Sequence, residues 1–242
     1  MARVLFITGS DTGVGKTVLT VLLARHLRRQ GTPVLALKPI CSGGRDDAEA
    51  LQAAQGGGIS LDAINPWSFR APLAPWLAAR REGRPLKQGP VVAFLRAALD
   101  SRPRSVVLIE GAGGLLSPLG EHFANRELLV AVRADPLVVC ANRLGTLNQV
   151  LLVLEALPPA FRGRARVVLM EPVAPDDGSR TNAAALEERL GPGRVVTLPR
   201  FLKTPPREPG IRVRRLLDGL LVAAVAETAL SGACRHSGGG GG

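Results

Sequence analysis

The chain has 242 residues, enough for a full core, with 46% hydrophobic residues and no apolar run long enough to span a membrane as a helix. Net charge is +11, but only four of 31 basic residues are Lys; with many Ala, Gly, Pro and Leu and no Tyr, this is the usage of GC-rich coding. The charge is therefore assigned to codon usage, and no nucleic-acid or membrane partner is expected, because no aromatic residues interleave the basic ones and no basic block occurs.

The first element is a strand, RVLFIT (3–8), which runs into GSDTGVGKT and then into the helical pattern VLTVLLARHLRRQG (18–31). Strand, glycine-rich turn and helix in that order are the context of a phosphate-binding loop. Counting back from Gly15, the spacing is one residue longer than the usual loop, with Gly9 as its first glycine. Backbone N–H groups from Thr12 to Thr17 line the expected anion, and the helix dipole favours it. Lys16 would reach the β- and γ-phosphates and the Thr17 hydroxyl a Mg²⁺ ion.

PVLALK (33–38) is the second strand, followed by CSGGRDDAEAL. It places Lys38 and Ser42 at a strand C-terminal end, where open α/β sheets bind ligands. A lysine there can neutralise a phosphoryl group or a carboxylate. Asp46 and Asp47 either cap the next helix (47–56) or supply a metal ligand. A helix is expected at 90–100, then the strand SVVLIE (105–110). Glu110 ends that buried strand, where an unpaired carboxylate is costly; the following Gly111, Gly113 and Gly114 serve either a close approach to ligand or a tight turn.

LVVCAN (137–142), RVVLME (166–171) and RVVTLP (194–199) complete six strands without polar alternation, the pattern of a parallel sheet covered on both faces. Helices are expected at 146–157, 181–191 and 212–230. Strand–helix alternation implies an α/β fold, a doubly wound, mainly parallel sheet over residues 1–230, with 231–242 as a flexible glycine-rich tail. The first residues lack a basic n-region and cleavage site, and three scattered cysteines suit a reducing cytoplasm. His26, His122 and His236 have no metal-ligand spacing. Trp67 and Trp76 are expected to pack the loop beside the ligand.

Taken together, GSDTGVGKT, KPICSGG with RDDAEAL, INPWSFRAPLAP, EGAGGLLSPL and RLGTLNQ resemble the dethiobiotin synthetase family, over residues 3 to about 150. That family shares the longer loop. The resemblance implies closure of the ureido ring of dethiobiotin from 7,8-diaminononanoate, CO₂ (or bicarbonate) and MgATP, by way of a carbamate and a carbamic–phosphoric anhydride. It implies nucleotide contacts over Asp11, Thr12, Gly13, Val14, Gly15, Lys16, Thr17 and Val18, with Glu171 and Pro199 at the base. Thr17, Asp47 and Glu110 resemble the Mg²⁺ ligands, with Asp47 preferred to Asp46. Lys16, Lys38, Thr12 and Ser42 resemble the residues around phosphate, carbamate and diamine. Pro72, Pro75 and Gly113 fall beside the substrate. Members are homodimers, and Gly145 and Asn148 resemble the helix start that reaches a substrate carboxylate across the subunit interface.

Two positions depart from the pattern. Gly13 stands where some members carry an acid, and Glu171 stands where the family has an adenine-reading Asn. The rival families are a cobyrinic-acid a,c-diamide synthetase-like amidoligase and a partition-type ATPase. Against the first, no glutamine-using domain or nucleophilic Cys motif is visible. The second places an extra lysine where this chain has Asp11.

Overall fold

The structure is a computed structural model and describes residues 2–201, 205–206 and 208–221; the tail expected at 231–242 lies outside these. In chain order the elements are β1 (Arg3–Gly9), α1 (Lys16–Arg29), β2 (Val34–Leu37), β3 (Ile40–Ser42), α2 (Asp46–Ala54) and α3 (Leu61–Ile64). They continue with β4 (Trp67–Phe69), α4 (Pro75–Arg81), α5 (Gln88–Asp100), β5 (Val106–Glu110), β6 (Pro118–Gly120), β7 (Phe123–Ala124) and α6 (Asn125–Ala131). The remainder is β8 (Asp135–Ala141), α7 (Thr146–Glu155), α8 (Pro159–Arg162), β9 (Arg166–Met170), α9 (Asp177–Leu190) and β10 (Val195–Leu198), followed by helical residues 211–221.

All six expected strands join one parallel sheet, in the order β10-β9-β8-β1-β5-β2. Their unbroken apolar runs are explained by two cores. Phe6, Val107, Ile109, Val138 and Val167 point to one face, packed with residues of α5, α6, α7 and α9. Leu5, Ile7, Leu108, Leu137, Val139 and Val168 point to the other, packed with α1, α2 and Val213, Leu217 and Leu220 of the final helical stretch. Period-two alternation thus splits each strand between two water-free faces, and each fully buried Leu or Ile contributes about 1.5–3 kcal/mol.

The short pieces were not legible as periodic patterns. INPWSF makes β4, which pairs with β3 outside the main sheet. Trp67 packs edge-on against Phe94, with ring centroids 5.6 Å apart. Trp76 sits under Arg80 on α4.

Chain connectivity matters to the site. From β1 the chain moves outward to β2, returns through β5 and then crosses to β8 on the other side of β1. The C-terminal ends of β1, β2 and β5 therefore meet at one edge, beside a reversal of strand order, where doubly wound sheets open a crevice. Register does the rest: Leu37 pairs with Ile109 and Ile7 with Glu110, so Lys38, the loop after β1 and Glu110 emerge side by side.

Candidate phosphate and carboxylate site

The loop between β1 and α1 is held from beneath. Ser10 N–H donates to Val139 O at 3.0 Å and Leu115 N–H to Gly9 O at 3.2 Å. Gly15 adopts φ 103° as the residue that turns the chain into α1, where a β-carbon would lie 2.9 Å from Met170 Cγ. Only glycine meets both demands. α1 has no side-chain cap, so its first N–H groups face the loop concavity unassisted.

Lys16 is buried and its Nζ donates to Asp11 O at 2.8 Å. Burial, helped by repulsion from Lys38, lowers its pKa to about 8, although Glu110 and Asp47 pull the other way. Lys38 is 4% exposed and behaves oppositely. Burial alone would lower it, but Glu110 and Asp47 outweigh that and hold it well above its ordinary value. Its three protons are fully used: Glu110 Oε1 at 2.7 Å, Asp47 Oδ2 at 2.9 Å and Gly111 O at 3.3 Å. Burial would raise the Asp47 carboxyl, yet the same ammonium holds it below the usual carboxylate range.

The Thr17 hydroxyl completes the cluster. Its oxygen lies 2.8 Å from Asp47 Oδ1 and 2.8 Å from Glu110 Oε1. One hydroxyl has one proton, so it can donate to only one of these carboxylates at a time. Glu110 is fully buried and its Oε2 has no partner. Converging oxygens short of protons, with an orphaned buried carboxylate atom, are the donor set of a hard cation. The residues therefore fit Mg²⁺. Among the described residues no three His, Cys, Asp or Glu side chains converge. A hard cation here would thus take Thr17 beside the two carboxylates, with water or phosphate oxygens filling its remaining positions.

A cavity of about 520 Å³ opens beside this cluster, and its lining includes Thr12, Lys38, Ser42, Asp47, Pro72, Pro75 and Gly113. These seven expected positions come from four separate stretches of chain. Gly43 closes one wall: its φ is +81° and an added Cβ would meet Pro72 Cβ at 3.0 Å. Cys41 also lines the cavity, and burial raises its thiol to about 11, which removes it as a nucleophile at neutral pH.

Not every expected residue gathers here. Gly145 and Asn148 start α7; Asn148 lines a separate groove with Leu152, Arg162 and Arg189. Glu171 and Pro199 follow β9 and β10, on the Gly15 side of the loop. Val18 packs its side chain towards the core behind α1, leaving only its backbone for a ligand.

Four buried asparagines do structural work that no pattern announced. Asn125 accepts from Ala112 N–H at 3.2 Å and donates to Ala112 O and Gly114 O, both at 2.7 Å, fixing the glycine loop after Glu110. Asn65 donates to Lys38 O at 2.7 Å. Asn142 and Asn182 tie β8 to α9. Single asparagines carry no periodic signal, and their partners are backbone groups brought near by folding.

A glycine-rich loop between a central parallel strand and a helix, with a basic and a carboxylate cluster at the sheet's C-terminal edge, defines a P-loop nucleoside-triphosphate-handling protein. The fold is shared with a ParA family ATPase from Chlorobium tepidum TLS, at a TM-score of 0.51 and 14% identity over 95% of this chain and 92% of that one. Residues 3–204 match a family described as an AAA domain. Two curated relatives are named ATP-dependent dethiobiotin synthetase BioD. The one from Anaeromyxobacter dehalogenans (strain 2CP-C) is 41% identical over 226 residues, covering 92% of this chain and 98% of its own. The one from Anaeromyxobacter sp. (strain Fw109-5) is 43% identical over 181 residues, covering 73% of this chain and 80% of its own. The chain belongs to the dethiobiotin synthetase family.

Proposed function

We propose that this chain closes the ureido ring of dethiobiotin from 7,8-diaminononanoate and CO₂, using ATP, in biotin biosynthesis. One amine attacks CO₂, forming an N–C bond and releasing a proton. The resulting carbamate oxygen attacks the γ-phosphorus of ATP, and the bond to ADP breaks. The second amine then attacks the carbamoyl carbon, phosphate leaves and a proton is lost.

None of these steps needs a protein nucleophile; they need positioning and charge neutralisation. Lys38 supports this reading, since its buried ammonium sits between the carboxylate cluster and the cavity. It would face both the carbamate and the phosphoryl group in transfer. Lys16 would hold the β- and γ-phosphates, with the N–H groups of residues 11–18 around them. Thr12 and Ser42 hydroxyls would bind the carbamate and amine, and Pro72, Pro75 and Gly113 would shape the wall against the diamine chain. Thr17, Asp47 and Glu110 would hold a Mg²⁺ ion, which would offset the charge of the phosphates. Glu171 and Pro199 would border the base.

Gly145 and Asn148 lie off the cavity of their own subunit, at a helix start with no side-chain cap. They would serve a homodimer, binding the distal carboxylate of a substrate held in the partner. Among the described residues, no helix is long and apolar enough to cross a membrane; a cytoplasmic location accords with the substrates.

The observation that carries the reading is the meeting of Lys38, Glu110, Asp47 and Thr17 beside a cavity lined by Thr12, Ser42, Pro72, Pro75 and Gly113. Its test is phosphate release with Mg²⁺, bicarbonate and nucleotide, with and without 7,8-diaminononanoate, with mass spectrometry for dethiobiotin. Diamine-dependent release with product is expected. Release indifferent to diamine, without product, would replace the synthetase reading with that of an ATPase switch.

A further inference from the structure

Glu171 is the acidic side chain at the ends of β9 and β10, on the Gly15 side of the phosphate loop. Its place is fixed on three sides. Met170, the residue before it, packs against Gly15, so Glu171 begins one residue past the phosphate loop. Its own N–H donates to Leu198 O at 2.8 Å, wedging it between the ends of β9 and β10. Its Oε1 receives one long bond, 3.3 Å, from Asn142 Nδ2.

The donors around it are already committed. Asn142 Nδ2 also donates to Ser179 O at 2.8 Å, and Asn142 Oδ1 accepts from Asn182 Nδ2 at 2.9 Å. That network fixes the amide with its nitrogen towards Glu171 and leaves it no spare proton. Glu171 is half-buried, and among the described residues its one side-chain hydrogen bond is the one to Oε1. A triphosphate lying along the loop, with its γ end at Lys16 and Lys38, directs its nucleoside away from that cluster and towards the β9 and β10 ends. What meets the base there is an acceptor, not a donor–acceptor pair.

The bases differ in what they offer an acceptor. Guanine presents two adjacent donors, the ring N1–H and the exocyclic amine, which match both oxygens of one carboxylate. Adenine presents one exocyclic amine flanked by acceptors, so only one oxygen is satisfied and the other faces a lone pair. An amide at the same position would reverse this, pairing donor and acceptor with adenine.

We propose that Glu171 reads the base, and that its acceptor-only carboxylate opens the site to guanine nucleotide alongside ATP. The proposal rests on the reading of this loop as the nucleotide site. Its chemistry is that of the base edge alone and does not depend on the identity of the amine substrate.

The experiment is calorimetric binding of MgADP and MgGDP to the full chain, as wild type, Glu171→Gln and Glu171→Ala, with diamine-dependent turnover on ATP and GTP run in parallel. Wild type is expected to bind GDP within about tenfold of ADP. Glu171→Gln should move the ADP:GDP preference towards adenine by tenfold or more, because one matched base contact governs a factor of this order. Glu171→Ala should weaken GDP binding more than ADP binding. A wild type that excludes GDP by a hundredfold, or a preference unmoved by Glu171→Gln, overturns the proposal. Loss of diamine-dependent turnover with every nucleotide would instead overturn the ring-closing function, and the binding ratios would still decide the role of Glu171.

Discussion

Replacing Lys38 by Met keeps most of the side-chain volume and removes one charge. In the nucleotide-free protein that charge is, among the described residues, the only cation bonded to Glu110, which is 0% exposed, and it also bonds Asp47. Removing one partner of a buried ion pair leaves the other uncompensated and costs about 3–5 kcal/mol. For a chain of this size each kcal/mol moves the melting temperature by about 2–4 °C, so Lys38→Met should melt about 6–20 °C lower in chelator. The deficit should shrink when Mg²⁺ is added without nucleotide, since a divalent ion can take the oxygens of Thr17, Asp47 and Glu110 that the ammonium has vacated. Wild type, with Lys38 already on those oxygens, should respond less. Turnover should fall by about a hundredfold or more, because the charge facing the transferring phosphoryl is gone. Melting curves by circular dichroism, with EDTA and with a Mg²⁺ titration, measure this directly. A Lys38→Met protein as stable as wild type in EDTA, or a destabilised one that ignores Mg²⁺, would refute the account of this cluster.

Lys16, depressed to about 8, is half neutral near that pH in the nucleotide-free protein, whereas an unfolded lysine stays charged to about 10.5. The folded state therefore binds fewer protons between these values, and the stability penalty of burying a charged Lys16 is relieved as pH rises from about 8 to 10.5. Phosphate should restore the charge, so nucleotide binding at pH 8.5 should take up protons, read by calorimetry in buffers of different ionisation enthalpy; no uptake would contradict the shift. Asn125→Ala strands two carbonyls and an N–H of the glycine loop, costing about 2–4 kcal/mol, and should melt about 4–16 °C lower. An unchanged melting temperature would show the loop is held by other means. In verified heterodimers, Lys16→Ala subunits combined with Asn148→Ala subunits should recover part of the activity that each homodimer lacks. No recovery would count against a site shared between subunits.

The sequence by itself determined the sheet. Six apolar, β-branched runs too hydrophobic for a half-exposed strand could only be buried on both faces, and Phe6 and Ile7 duly enter opposite cores. It also determined the phosphate loop, because the backbone geometry of residues 9–17 is local: a positive φ at Gly15 and a helix start at Lys16 are set by neighbours in the chain. Short or solitary features were illegible for the converse reason. β3 and β4 exist through pairing with each other, and Asn65, Asn125 and Asn142 are defined by backbone groups 11 to 37 residues away. Lys38 and Glu110 read, separately, as a charged strand end and a costly carboxylate. Only tertiary structure decided that they form one object. Strand β5 inserts between β1 and β2 in a register that pairs Leu37 with Ile109, and this carries two residues 72 positions apart to within 2.7 Å. No local propensity encodes that register; it follows from burying both faces of the sheet at once, and it turns two buried charges that would each be untenable alone into the centre of the site.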